Sequence, residues 1–254
     1  MVSMVELIDS HSHLHQPWFE PNLDDVINRA KENQVSHIIN CASSPKNYQQ
    51  VISTTRYDEI DITLGIQPTH ADEHLTADIL RDIDDLDKKV VAIGEVGLDY
   101  YWVKDETLRE RQHQLFIDCI NLANELGIPL VTHTRKAESQ SLDLLEKHAD
   151  TPVLLHSFDG NLKEVNRAVD LGYLITVPTI VTRRKNRRKV ATRAGLDNIM
   201  LETDAPFATT KEAVERNEPK YIRDAADYLS KLLDTDFREI AKVTTRNSRQ
   251  FHQI

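Results

Sequence analysis

The chain has 254 residues, 40% hydrophobic and 28% charged, with a formal net charge of −10; this excludes a disordered segment and leaves length for one α/β barrel or two smaller domains. The acidic balance argues against a general nucleic-acid coat, though not against a local basic patch, and no apolar run approaches the roughly 20 residues of a membrane span. The opening MVSMVELIDSHSH lacks a basic flank followed by an apolar core, so no export signal is expected and the cytoplasm is the expected compartment.

In chain order, short β-rich apolar runs predict strands over 5–8, 37–40, 60–65, 90–94, 128–132, 153–155, 173–177 and 199–201. Between them, three- and four-residue apolar spacing predicts helices over 23–33, 108–126, 137–147, 162–171 and 221–233. Strands that alternate with helices pair in parallel, and eight of them favour closure into a (β/α)8 TIM barrel, possibly distorted, with the active site at the carboxyl ends of the strands. An open doubly wound sheet is the alternative, but it wants a glycine-rich phosphate turn after the first strand, where DSHSHLH stands. No repeat, low-complexity tract or Pro/Gly-rich linker breaks the pattern, so residues 1–254 are expected to form one domain. Cys41 and Cys119, far apart in apolar segments, are expected to be two buried thiols rather than a disulfide.

The residues that follow the strands are a selected set. Strand one ends in Asp9-Ser10-His11-Ser12-His13, strand four in Glu95, strand five in His133, strand six in His156 and strand eight in Glu202-Thr203-Asp204. His11 and His13 are two residues apart, so in extended chain both side chains point the same way and can grip one ion. Five strands that deliver imidazoles and carboxylates to one rim point to a metal-dependent hydrolase. Asp9 shares the alternation and is expected to accept a hydrogen bond from His11 or His13; His15 is either a third inward group or a loop residue. His37, His74, His113, His148 and His252 fall at strand starts, in helices or at the terminus, and are read as structural or solvated.

The motifs DSHSHLH at 9–15, GEVGLDYY at 94–101, HTR at 133–135, HSFDG at 156–160, ETDAP at 202–206 and RNEPKYI at 216–222 resemble, nearly end to end, the TatD family of metal-dependent deoxyribonucleases in the amidohydrolase-like barrel superfamily. The resemblance implies two divalent metal ions: His11, His13 and Asp204 on one, His133 and His156 on the other, and Glu95 bridging both. It also implies DNA as substrate, cut from an end, single-stranded or at duplex ends; a monomer without membrane contact is expected. Two cations that share a carboxylate can bring a bridging water towards hydroxide at neutral pH, with Asp204 and Glu95 as the catalytic carboxylates. Imidazole and carboxylate donors suit zinc, manganese, iron or nickel, while magnesium prefers oxygen-rich sites, and the ion's identity stays open among these five.

Departures from the family pattern fall outside the six ligands. The usual G-x-H-P-H turn reads Gly65-Ile66-Gln67-Pro68-Thr69-His70, which leaves open what this loop contributes. The final family signature is one residue short at 247–251, and His15 stands where the family often carries an acidic residue. Because such a site would also serve ester, lactone or amide hydrolysis, a hydrolase of small substrates is the rival reading. A metal-binding protein without catalysis is a further one. The basic run from Arg183 and Arg184 through Lys185 to Lys189 follows strand seven and is expected to hold substrate phosphates, against the alternative of a solvated helix face.

Overall fold

Alternation with period two is what sorts the strand residues. The computed structural model describes residues 5–72, 89–210 and 215–254. Its strands are β1 Leu7–Ser12, β2 Val35–Cys41, β3 Ile60–Leu64, β4 Val90–Asp99, β5 Leu130–Arg135, β6 Val153–His156, β7 Leu174–Pro178 and β8 Ile199–Glu202. They hydrogen-bond in chain order and in parallel from β1 to β8. One apolar cluster lies between strands and helices and takes Ile93, Leu130, Leu155 and Leu201. A separate one takes the neighbouring positions Ala92, Val131, Leu154 and Met200 and so fills the barrel interior. Phe251 packs on that interior cluster.

Outside the strands lie α1 Leu23–Glu32, α2 Tyr48–Ser53, α3 Glu106–Leu126, α4 Glu138–His148, α5 Leu162–Asp170, α6 Lys185–Ala194, α7 Ile222–Leu232 and α8 Phe237–His252. Asp105 caps α3 by accepting from Leu108 N, and Gly127 ends it in the left-handed region. Asn161 and Glu164 form a capping box that starts α5. Asn247 anchors α8 by donating to the carbonyls of Asp197 and Ile199.

The barrel closes between β1 and β8. Asp204 N donates to His11 O at 2.9 Å and His13 N to Ala205 O at 2.7 Å. Beneath them Asp9 accepts from Thr203 N at 2.8 Å and Thr203 Oγ1 at 2.5 Å. Asn217, in the RNEPKYI segment, donates to Thr203 O and Thr179 Oγ1, both at 2.7 Å, and so fixes the loop after β8 to the end of β7.

The glycines of GEVGLDYY are dictated by close approach. Gly97 has φ +141°, and a Cβ there would sit 2.1 Å from His133 O. Gly97→Ala is therefore expected to part β4 from β5 beside His133. Gly127→Ala is the comparison, since its φ of +65° meets nothing within 4 Å and should cost only about 1–2 kcal/mol, or roughly 2–8 °C of melting temperature. Thermal denaturation should show a far larger drop, or no soluble protein, for Gly97→Ala; equal drops would contradict the packing argument.

Candidate metal centre

Two residues beyond the interior apolar positions, the same inward faces turn polar. Val131 is succeeded by His133, Leu154 by His156 and Met200 by Glu202. On β4 the pairing register shifts between Ile93 and Val96, around Gly94 at φ +158°, and the buried Glu95 side chain enters the centre. Its Oε2 lies 3.0 Å from His11 Nε2 and 3.3 Å from His13 Nε2, while Oε1 lies 2.9 Å from His133 Nδ1. His156 stacks on His11 with ring centroids 3.6 Å apart, and Asp204 Oδ1 is 3.5 Å from His13 Nε2. Donor atoms of His11, His13 and Glu95, of Glu95, His133 and His156, and of His11, His156 and Glu202 form three groups, each within 4.8 Å.

The opposite ring nitrogens are anchored outside the centre. His13 Nδ1 is 2.9 Å from Cys41 O, His133 Nε2 is 3.1 Å from Asp99 Oδ2 and His156 Nδ1 is 2.7 Å from Glu202 Oε2. A carbonyl or carboxylate oxygen can only accept, so each of these imidazoles keeps a proton on the anchored nitrogen, and it is the inward nitrogen that turns a lone pair to the centre once its own proton is lost. His11 Nδ1 meets Cys41 Sγ at 3.2 Å, and burial pushes the Cys41 thiol up, so it stays protonated. Buried inward lone pairs around a shared carboxylate are a donor set for divalent cations. Glu202 Oε1, buried with no hydrogen-bond partner among the described residues, fits the same purpose.

Burial works against charge here, and contact with opposite charge overcomes it. It would raise Glu95, yet hydrogen bonds from His11, His13 and His133 hold its carboxyl well below the usual range. Burial would lower His13 and His133, yet Asp204 and Glu95 lift the first to about 10, and Asp99 and Glu95 lift the second to about 9. Protons thus compete with cations for this centre, and acid favours the protons. Four left-handed residues other than glycine follow the carboxyl ends of strands: Lys136 at φ +59° after β5, Ser157 at φ +43° after β6, and Asp204 at φ +57° and Ala208 at φ +52° after β8; functional rims are where strained backbone concentrates.

All six residues singled out from the strand ends converge on this centre. Asp9 does not touch either imidazole: its oxygens are taken by Thr203 and by His11 N, so it is a seam residue instead. His15 belongs to the loop, with Nε2 3.2 Å from Asn47 Nδ2. His37 pairs with Asp61, His113 meets the Tyr100 hydroxyl, His148 ends α4 and His252 is buried edge-on to Phe251 with no hydrogen-bond partner among the described residues; His74 lies outside the described residues. Cys41 and Cys119 are buried free thiols. The altered turn has its own connection: Thr69 Oγ1 donates to Gln67 Oε1 at 2.7 Å, and Gln67 Nε2 donates to Glu95 Oε1 at 2.9 Å.

The basic run divides in two. Arg183, Arg184 and Lys185 are exposed at the carboxyl end of β7, with Arg183 Nη1 3.4 Å from Thr209 Oγ1 in the loop after β8. Arg187 contacts Ser157 O and lies 3.5 Å from Asp159, and Arg188 donates to Val181 O and Thr182 O. Asp99, Glu202, Cys41 and Gln67 escaped the sequence reading as positioning residues. Asp99 and Glu202 had a signal, for each lies on the inward alternation with a ligand candidate. Cys41 acts through its backbone and a thiol contact, which no spacing encodes.

A family model described as TatD related DNase matches residues 8–253. The chain is 30% identical over 256 residues to an uncharacterized metal-dependent hydrolase, YabD, of Bacillus subtilis (strain 168), covering 98% of this chain and 99% of that one. It is 32% identical over 257 residues to deoxyribonuclease TATDN3 of Homo sapiens, covering 96% and 93%. The crystal structure of YJJV, a TatD homolog from Escherichia coli K12, superposes with a TM-score of 0.90 at 28% identity over 98% of this chain and 99% of that one.

Proposed function

Because this chain belongs to the TatD-related DNase family of metal-dependent hydrolases, we propose that it is a two-metal phosphodiesterase that cuts DNA from an end. One observation carries the reading: the Glu95 carboxylate presents Oε2 to His11 and His13 and Oε1 to His133. His11, His13 and Asp204 would hold one divalent cation and His133 and His156 the other, with Glu95 shared. Cations so held would supply Lewis acidity, polarising a phosphoryl oxygen and lowering the pKa of bound water from 15.7 towards about 7.

The chain's own residues divide the remaining work. Asp204 has the more accessible carboxylate, its side chain 20% exposed against 1% for Glu95, and its pKa is lowered because His13 and the charge of His156 outweigh burial. It is therefore ionised at neutral pH and accepts the proton of the attacking water. Glu95, held by Gln67, stays fixed between the two imidazole sets. Asp99, Cys41 and Glu202 hold the protons on the anchored nitrogens, so that the inward nitrogens are the ones that would give up a proton to a cation.

Arg183, Arg184 and Lys185 hold substrate phosphates in this reading. Arg184 caps the start of α6 without a side-chain hydrogen bond, and no acidic residue stands in that first turn. Exposed cations there add to the positive end of the helix dipole, an arrangement that an arriving anion relieves. A chain of net charge −10 needs such a local patch to admit a polyanion.

End-labelled single- and double-stranded DNA, followed over time with manganese, zinc, magnesium, iron or nickel, should shorten progressively from one end and stop on chelation. Glu95→Gln and Asp204→Asn should each lower the rate by at least about 10²-fold with unchanged circular dichroism. Full activity without bound or added metal, or wild-type rates in either variant, would contradict the assignment. Separately, Arg183→Ala combined with Arg184→Ala should weaken DNA binding and flatten its salt dependence by roughly 0.7–0.9 per lost contact. Hydrolysis of a small neutral ester should barely change; an unaltered salt slope would make the run a solvated helix face.

A further inference from the structure

Six large apolar side chains are exposed among the described residues, and four of them, Trp18, Tyr101, Trp102 and Phe207, stand on loops that follow β1, β4 and β8. They form two groups, each with an arginine. Tyr101 and Trp102 meet edge-on at 4.8 Å, and the Arg135 guanidinium lies 4.2 Å from the first ring centre and 5.5 Å from the second. Trp18 and Phe207 meet edge-on at 6.4 Å, with the Arg216 guanidinium 5.4 Å from Trp18. These three residues help line an open cleft of about 610 Å³.

Both groups are fixed to the metal centre. One oxygen of Asp99 accepts from Tyr101 N and Trp102 N, each at 2.8 Å, while its other oxygen faces His133 Nε2 at 3.1 Å. Phe207 N donates to Asp204 O at 2.7 Å, and the Phe207 ring meets the His13 ring edge-on at 6.0 Å. In an eight-stranded barrel the β4–β5 and β8–β1 edges face each other across the mouth, so the centre lies between the groups.

We propose that these two aromatic–arginine groups are base-stacking platforms, which hold unpaired nucleotides of DNA on either side of the phosphate at the metal centre. Exposed ring faces beside guanidinium planes bind nucleobases without regard to sequence, because every base has a π-face. In a duplex those faces are covered by neighbouring bases, so the platforms select unpaired strands or frayed ends. The inference rests on the DNA-hydrolase reading and names the side chains that hold the bases of its substrate.

Trp18 and Trp102 are the only two tryptophans of the chain, one in each platform, so each platform carries its own fluorescent reporter. In the full chain with Asp204→Asn, which spares the strand, Trp18→Phe or Trp102→Phe leaves one reporter at a time. An oligothymidylate of roughly eight nucleotides, within the usual site size, should quench each reporter saturably. An abasic strand of the same length and charge should not. Trp18→Ala and Trp102→Ala should each weaken oligothymidylate binding by roughly 5- to 150-fold, leave abasic binding unchanged and be largely rescued by Phe. Equal binding of the two strands, or alanine variants that bind oligothymidylate like the parent, would overturn the platforms. Either result leaves DNA hydrolysis by the unmodified chain intact, whereas failure of that hydrolysis alongside base-dependent quenching would sink the functional reading and not the platforms.

Discussion

One buried carboxylate organises this protein. Glu95 is 1% exposed and receives imidazoles on both of its oxygens, an arrangement that is costly to build, because every polar atom taken from water must find a partner. The barrel meets that demand from outside the centre. A backbone carbonyl and a thiol from Cys41 hold His13 and His11, and the carboxylates Asp99 and Glu202 hold His133 and His156. The imidazoles are thereby held in fixed orientations around the carboxylate, which spares the reorganisation that a looser site would need.

The scaffold's irregularities serve the same carboxylate. Gly94 and Gly97 let β4 shift register and press against β5 within van der Waals limits that no side chain would respect, and Glu95 lies between them. The β1–β8 seam sets His11, His13 and Asp204 relative to one another through two backbone hydrogen bonds and the Asp9–Thr203 pair. The loops after β1, β4 and β8 carry aromatic residues outward, and Asp99 and Phe207 connect them to the buried imidazoles by direct contact.

Much of this was legible in the sequence because burial on both faces writes strands as short apolar runs, and all eight were visible as such. Their carboxyl ends were misjudged where function overrides apolarity. Polar inward residues looked like strand termination, so β4 was expected to stop at 94 and runs to Asp99, while β5 was expected to stop at 132 and runs to Arg135. The helix α6 is rich in cations and poor in apolar spacing, so its periodicity was hidden, and α2 is a six-residue helix with few positions to show any. The helix α8 buries threonines, Asn247 and Ser248 as well as apolar residues, which blurs the contrast a periodicity reading needs. The six candidate ligands were legible because residue type and strand-end position coincide; their anchors were not, because an anchor is defined by what lies across the barrel. Asp9 shows the converse error, for it has the right parity to serve a histidine and is instead spent on closing the seam.

Glu95 as the shared wall of two cation positions is the claim on which the rest depends. Crystals soaked in manganese and measured at the manganese absorption edge test it directly. Two anomalous peaks should appear, one on the His11, His13 and Asp204 side of the Glu95 carboxylate and one on the His133 and His156 side, roughly 3.5–4 Å apart. A single peak, or peaks that do not contact Glu95, would contradict the account.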